Sequence, residues 1–192
     1  MENKFHERMD NSPVIAAVKN MEMLENAVNS PCEIIFMLSG DIFNLADAVK
    51  RAHENGKMIF IHIDLIEGFS RDAVALRYIH ENISPDGIIS TKAGLIKIAK
   101  EMGMLTVRRF FIIDSLSLDN VVNATIAEKS DAIEIMPGVM PKIISKLKKK
   151  IKTPMIAGGL ISEKEDVIGA LQAGANGVST TAEAVWNLSL IH

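Results

Sequence analysis

The chain has 192 residues, a formal charge of −3, and 48% hydrophobic residues of which few are aromatic. That length supports one domain with a substantial aliphatic core, and the mild acidity excludes a globally basic nucleic-acid binder, so any RNA contact must come from a local patch. The single cysteine, Cys32, excludes an internal disulfide and a cysteine-based metal site.

No apolar run reaches the roughly 18 residues a membrane span requires. The first residues, MENKFHERMDNSP, are charged and lack the apolar stretch of a signal peptide. A cytoplasmic protein with no membrane association is therefore expected. Cys32 lies beside an apolar strand and reads as a small core residue.

Apolar runs alternate with amphipathic segments along the whole chain. Pro13 introduces strand one, VIAAV, and Met21 to Asn29 forms a short helix. Strand two is Ile34 to Leu38, and Asn44 is expected to cap the helix that follows. Strand three is Met58 to Ile63, followed by a loop and a helix capped by Ser70. Strand four is GIIS, Gly87 to Ser90. Strand five runs from Leu105 through Phe110. Strand six, AIEIM, is closed by Pro137-Gly138, and a strongly basic helix spans Lys142 to Ile151.

Strand seven begins at Met155-Ile156 and ends in Ala157-Gly158-Gly159. Ser162 with Glu165 has the spacing of a capping box, and Gly174 reads as the residue just past the helix. Strand eight, Gly177 to Thr180, runs into Thr181. The total is eight strand–helix units of roughly 23 residues each, which predicts a compact single-domain (β/α)8 barrel over residues 1–192. A doubly wound sheet would carry its glycine loop after the first strand, whereas here that strand ends in Val18-Lys19-Asn20.

Paired glycines after strand seven, with Ser179, Thr180 and Thr181 after strand eight, leave amides free beside helix starts. That suits a phosphate, and those two loops are its common seat in such barrels. Gly158, Gly159, Ser179, Thr180 and Thr181 are the expected phosphate-binding residues. Other polar residues collect at strand ends: Asp64 with Glu67, Lys92, Arg108, Arg109 and Glu134. Glu134 alternates with isoleucines, so its carboxylate should point into the barrel and need a partner, which an arginine of strand five would supply. Asp64 and Glu67 suit a Mg²⁺ ion or sugar hydroxyls as well as loop capping, and Lys92 suits phosphate binding or Schiff-base chemistry. His62 reads as a packed core histidine. The run SKLKKKIK carries Lys146, Lys148, Lys149, Lys150 and Lys152. It reads as a solvated helix face or as an RNA-phosphate patch.

The blocks FIHIDLIEGFS, DGIISTK, VRRFFIIDS, IEIMPGVMPKII, PMIAGGLIS and GVSTT follow one another from Phe60 to Thr181. Together they resemble the GlpP family of glycerol uptake operon antiterminator regulatory proteins. The resemblance implies a cytosolic, non-catalytic regulator that senses glycerol-3-phosphate. It implies action on the leader mRNA of glycerol-utilisation genes, preventing premature termination. No cofactor or metal is implied; the small molecule is the effector glycerol-3-phosphate, its phosphate over the glycine and Ser/Thr loops and its hydroxyls toward Asp64, Glu67, Lys92 or Glu134. One barrel offers RNA a narrow footprint, which a homodimer would double.

Two enzymatic readings stay open on the residues alone. One is a barrel lyase, isomerase or aldolase acting on a small phosphorylated substrate through Lys92, Asp64 and Glu134. The other is a metal-dependent phosphodiesterase using Asp64, Glu67 and Glu134, against which no histidine pair stands at the strand ends.

Overall fold

In the computed structural model, which describes residues 2–188, eight parallel strands close on one another in sequence order. They are β1 (Val14–Val18), β2 (Ile34–Met37), β3 (Met58–His62), β4 (Gly87–Ser90), β5 (Leu105–Phe111), β6 (Ala132–Met136), β7 (Met155–Gly158) and β8 (Gly177–Thr180). The barrel closes where Val14 to Ala16 pair with Val178 to Thr180. All eight expected strands are present to within a residue, because each is a short aliphatic run that only a two-sided buried strand accommodates.

Side chains alternate across each strand. One set faces outward against the helices α2 (Met21–Asn29), α3 (Leu45–Glu54), α4 (Ala73–Tyr78), α5 (Ala93–Glu101), α6 (Ser115–Glu128), α7 (Pro141–Lys148), α8 (Lys164–Gln172) and α9 (Glu183–Trp186). The other set fills the barrel interior, with Ile15, Ala17, Ile34, Phe36, Phe60, Ile89, Val107 and Ile156 in one fully buried cluster. Layered aliphatic filling of this kind makes the barrel a packed core rather than a pore.

The sequence reading missed α1, Glu2–Asn11, which closes the strand-entry end of the barrel. Phe5 and Met9 lie one helical turn apart and are buried in the interior cluster, and the Phe5 ring stands 4.9 Å from that of Phe60. Arg8 fastens the helix by donating to the carbonyls of Gly56 at 2.7 Å and Glu33 at 3.2 Å. Two apolar residues among ten leave too thin a stripe to distinguish this helix from a polar tail.

Several expected caps move. Asp72, not Ser70, starts α4, its carboxylate accepting from the amides of Val74 and Ala75. A carboxylate is the stronger acceptor at a positively polarised helix start. Glu163, not Ser162, precedes α8, and Asp166 rather than Glu165 turns back onto the Ser162 and Glu163 amides. Asn44 precedes α3 but its side chain accepts from Asp41, making the preceding turn instead of capping the helix. Helix α7 stops at Lys148, so Lys149, Lys150 and Lys152 lie in the connection to β7. Gly174 takes the expected position after α8, with φ of +107°.

Truncating the floor helix tests its place in the core. Phe5→Ala should cost about 3–5 kcal/mol, the usual loss for deleting a buried phenylalanine. Equilibrium urea unfolding measures this; a loss under about 1 kcal/mol would mean that the helix contributes nothing to the interior.

Candidate functional site

Alternation in β6 aims Ile133 and Ile135 outward and Glu134 inward, and Glu134 has no solvent exposure. The paired residue on β5 is Arg109, whose Nε donates to Glu134 Oε2 at 2.5 Å. From β8, the Ser179 hydroxyl donates to Glu134 Oε1 at 2.5 Å. Two strands, β5 and β8, thus give each oxygen of the buried carboxylate on β6 a donor. Removing one member would leave the others desolvated, which typically costs about 3–5 kcal/mol for an ion pair.

This group lines a cavity of about 800 Å³ at the strand-exit mouth. Its polar lining includes Lys19, Thr181 and Gly159, and its apolar lining includes Leu38, Phe111, Met136 and Leu160. Among the described residues, no backbone hydrogen bond engages the amides of Gly159, Leu160 or Thr181. These amides, with Lys19 and Arg109, make the mouth a receptive place for an anion. Gly158 is required by the group beneath, since a Cβ there would stand 2.5 Å from Glu134 Oε1 and 2.6 Å from Ser179 Oγ. Gly159 has φ of +76°, and a Cβ would meet the Met136 methyl at 2.6 Å. Thr180 borders the cavity, but its hydroxyl is committed, donating to Ile161 O at 2.6 Å and accepting from the Ala182 amide.

The other strand-end residues divide. Arg108 faces the helices, paired with Glu128 at 2.7 Å and stacked on Phe110, and so points away from the mouth. Asp64, Glu67 and Lys92 line a separate recess of about 640 Å³ with Arg71. Within it Asp64 accepts from the Thr91 amide at 2.7 Å, the Thr91 hydroxyl at 2.9 Å and the Ser90 hydroxyl at 3.0 Å. Burial pushes the Asp64 carboxyl up, but these bonds outweigh it and hold it below its ordinary value. Asp64 therefore ties the end of β3 to that of β4. Among the described residues, no three His, Cys, Asp or Glu side chains gather as a metal-binding group.

The five lysines do not form one face. Lys146 and Lys149 line a groove between α7 and α8, and Lys150 and Lys152 line a cleft at the opposite end of the barrel from the mouth. Lys148 packs its stem over Gly174, and its ammonium reaches Asn176 Oδ1 at 3.4 Å.

His62 is the packed core histidine that its strand position predicts, but its surroundings are charged. It is 2% exposed, its Nδ1 has no partner, and Asp64 Oδ2 stands 3.9 Å away. Burial first, and the Arg109 guanidinium second, push its pKa down to about 4, against the pull of Asp64. The imidazole is thus neutral in the folded protein. Only knowledge that Arg109 shares the barrel interior exposes this, and no motif encodes it.

The depressed pKa fixes a pH dependence. From pH 6.5 down to about 4 the unfolded chain takes up a proton at His62 that the folded protein refuses, so stability falls with pH across that window, by about 3–4 kcal/mol at most. Asp64 adds its own loss only below 3.8. Chemical denaturation at a series of pH values should show that slope in the wild type and a flatter one in His62→Gln. Equal slopes would remove His62 as its source.

The family model described as glycerol-3-phosphate responsive antiterminator matches residues 14–186. An Escherichia coli K12 protein described as uncharacterized protein YgcP is 42% identical over 93% of both chains. Among solved structures, a glycerol uptake operon antiterminator regulatory protein from Listeria monocytogenes is 34% identical, with a TM-score of 0.87, covering 92% of this chain and 95% of that one. An antiterminator-related protein from Thermotoga maritima is 26% identical, with a TM-score of 0.82, over 92% and 99%. The likeness runs from β1 through α9, and the chain belongs to the glycerol-3-phosphate responsive antiterminator family.

Proposed function

We propose that this protein is a cytoplasmic antiterminator that binds glycerol-3-phosphate in the mouth cavity and, so loaded, binds the leader mRNA of glycerol-utilisation genes. The observation that carries the reading is the Arg109–Glu134–Ser179 group beneath unpaired amides of Gly159, Leu160 and Thr181. The amides and Lys19 suit phosphate oxygens, the Arg109 guanidinium suits hydroxyls, and Leu38, Phe111 and Met136 suit a short carbon chain. Effector binding would favour the RNA-competent state by about 1–3 kcal/mol, an ordinary coupling between two sites.

Signalling rather than turnover fits the commitments of the charged groups. Lys92 shares its recess with Asp64, but Asp64 spends its oxygens on Thr91 and Ser90. Glu134 is also held by two donors, which commits it to its present partners.

A thermal-shift series tests the reading. Glycerol-3-phosphate should raise the melting temperature, with about 2.7 kcal/mol of stabilisation at a concentration a hundredfold above its Kd. Glycerol or inorganic phosphate alone should do less. Gly159→Val should abolish the shift without changing the far-UV CD spectrum, because a Cβ at positive φ forces Met136 and the loop out of place. No product should form from glycerol-3-phosphate; turnover that scales with protein and disappears in Lys92→Ala would replace this reading with an enzymatic one.

A further inference from the structure

At the end of the barrel opposite the mouth, the C-terminal ends of α5, α6 and α7 converge on a cleft of about 580 Å³. Lys100, Lys129, Lys150, Lys152, Ser130 and Thr153 line it. Lysines near helix C-termini are favoured by the helix dipole, so their presence alone says little. Their commitments say more. Lys100 is held by the Lys129 carbonyl at 2.5 Å and by Asp131 at 3.2 Å, which fixes one lip. Lys150 reaches Asp119 at 3.7 Å across two exposed side chains, a weak attachment. Lys129 and Lys152 are exposed and have no acidic partner among the described residues. Ser130 lines the same cleft, and among the described residues its buried hydroxyl bonds to nothing and its amide finds no backbone acceptor. An unpaired buried hydroxyl is destabilising, and an incoming oxygen acceptor would give it a partner.

We propose that this cleft is where the RNA backbone docks, a phosphate of a single strand seating between Lys129 and Lys152 and accepting from Ser130. The proposal rests on the leader-RNA reading above and assigns it a surface: the floor cleft rather than the α7–α8 groove of Lys146 and Lys149. It places RNA and effector at opposite ends of one strand. The Lys129–Ser130–Asp131 turn leads directly into β6, and Glu134 follows within that strand, so a shift of the carboxylate has a short covalent route to the cleft.

Phosphate contacts release counterions, and on single strands each contributes about 0.7 to the log–log salt slope whatever the base sequence. A short mixed-sequence single-stranded RNA is therefore a sufficient probe, titrated by fluorescence anisotropy over a salt series in the presence of glycerol-3-phosphate. Lys129→Gln with Lys152→Gln should flatten the slope by about 0.7–1.4 and weaken binding on the order of tenfold at low salt. Lys146→Gln with Lys149→Gln should leave both unchanged. Ser130→Ala removes a hydroxyl that bonds to nothing, so it should keep the melting temperature while lowering RNA affinity. Adding inorganic phosphate separates a free-anion site from an RNA site. A wild type that binds RNA with the same slope and affinity as the floor variant, whether or not phosphate stabilises the cleft, overturns the assignment and leaves the leader-RNA reading standing. A wild type that shifts with glycerol-3-phosphate yet binds no RNA at any salt overturns both.

Discussion

A charge inside an aliphatic barrel is the constraint that organises this molecule. Glu134 is fully buried, and an isolated carboxylate in such a place would be prohibitively costly. Its neutralisation requires Arg109 from the adjacent strand and Ser179 from two strands away. Gly158 must lack a side chain so that the carboxylate and the serine can meet. The neutral state of His62 is part of the same arrangement, since burial disfavours its charged form first and a second cation beside Arg109 would be unfavourable as well. The lower half of the barrel is packed with aliphatic and aromatic side chains, while the mouth sets charged and polar groups among apolar ones. That division, rather than any single motif, makes one end a core and leaves a cavity at the other.

Much of this was legible in the sequence, for identifiable reasons. Short runs such as AIEIM and GVST leave no alternative to buried parallel strands, so the eight-unit count and the closed order followed. Parity within AIEIM aimed Glu134 inward and demanded an arginine from the neighbouring strand. Parity also separates Arg109 from Arg108, but the sequence reading grouped both because it weighed residue type over register. The grouping of Asp64 and Lys92 with Glu134 fails in space because the β3–α4 and β4–α5 loops form a recess of their own. Lys146 to Lys152 formed one patch in the linear text, but the helix ends at Lys148 and the chain then turns, sending the lysines to different surfaces. The floor cleft was invisible, since it assembles Lys100 of α5, Lys129 just past α6, and Lys150 and Lys152 of the connection to β7. Helix α1 was invisible for the opposite reason, because its two anchoring residues are too few to make a pattern.

Family membership and site geometry bear on different questions. Membership fixes the fold and the effector-responsive character of the group. The geometry supplies what membership leaves open: which residues meet at the mouth, which are occupied in holding loops, and which face elsewhere. Thr180 and Asp64 illustrate the difference. Both stand at strand ends where ligands commonly bind, yet both spend their hydrogen bonds on fastening loops, Thr180 to Ile161 and Asp64 to Thr91. Loops fastened in this way leave the amides of Gly159 and Thr181 without a backbone partner among the described residues.

The stopper formed by α1 has a consequence for the order of assembly. Phe5 and Met9 seat among residues contributed by strands from β1 to β7, and β1 itself is completed only when β8 pairs with it. A ribosome releases the stopper before any of these strands. Phe5 and Met9 therefore have no complete binding surface until β7 has been made, and pairing of such distant segments is the slow kind. The base of the unfinished barrel stays open until its late strands arrive, and a helix made ahead of every strand takes its seat only after them.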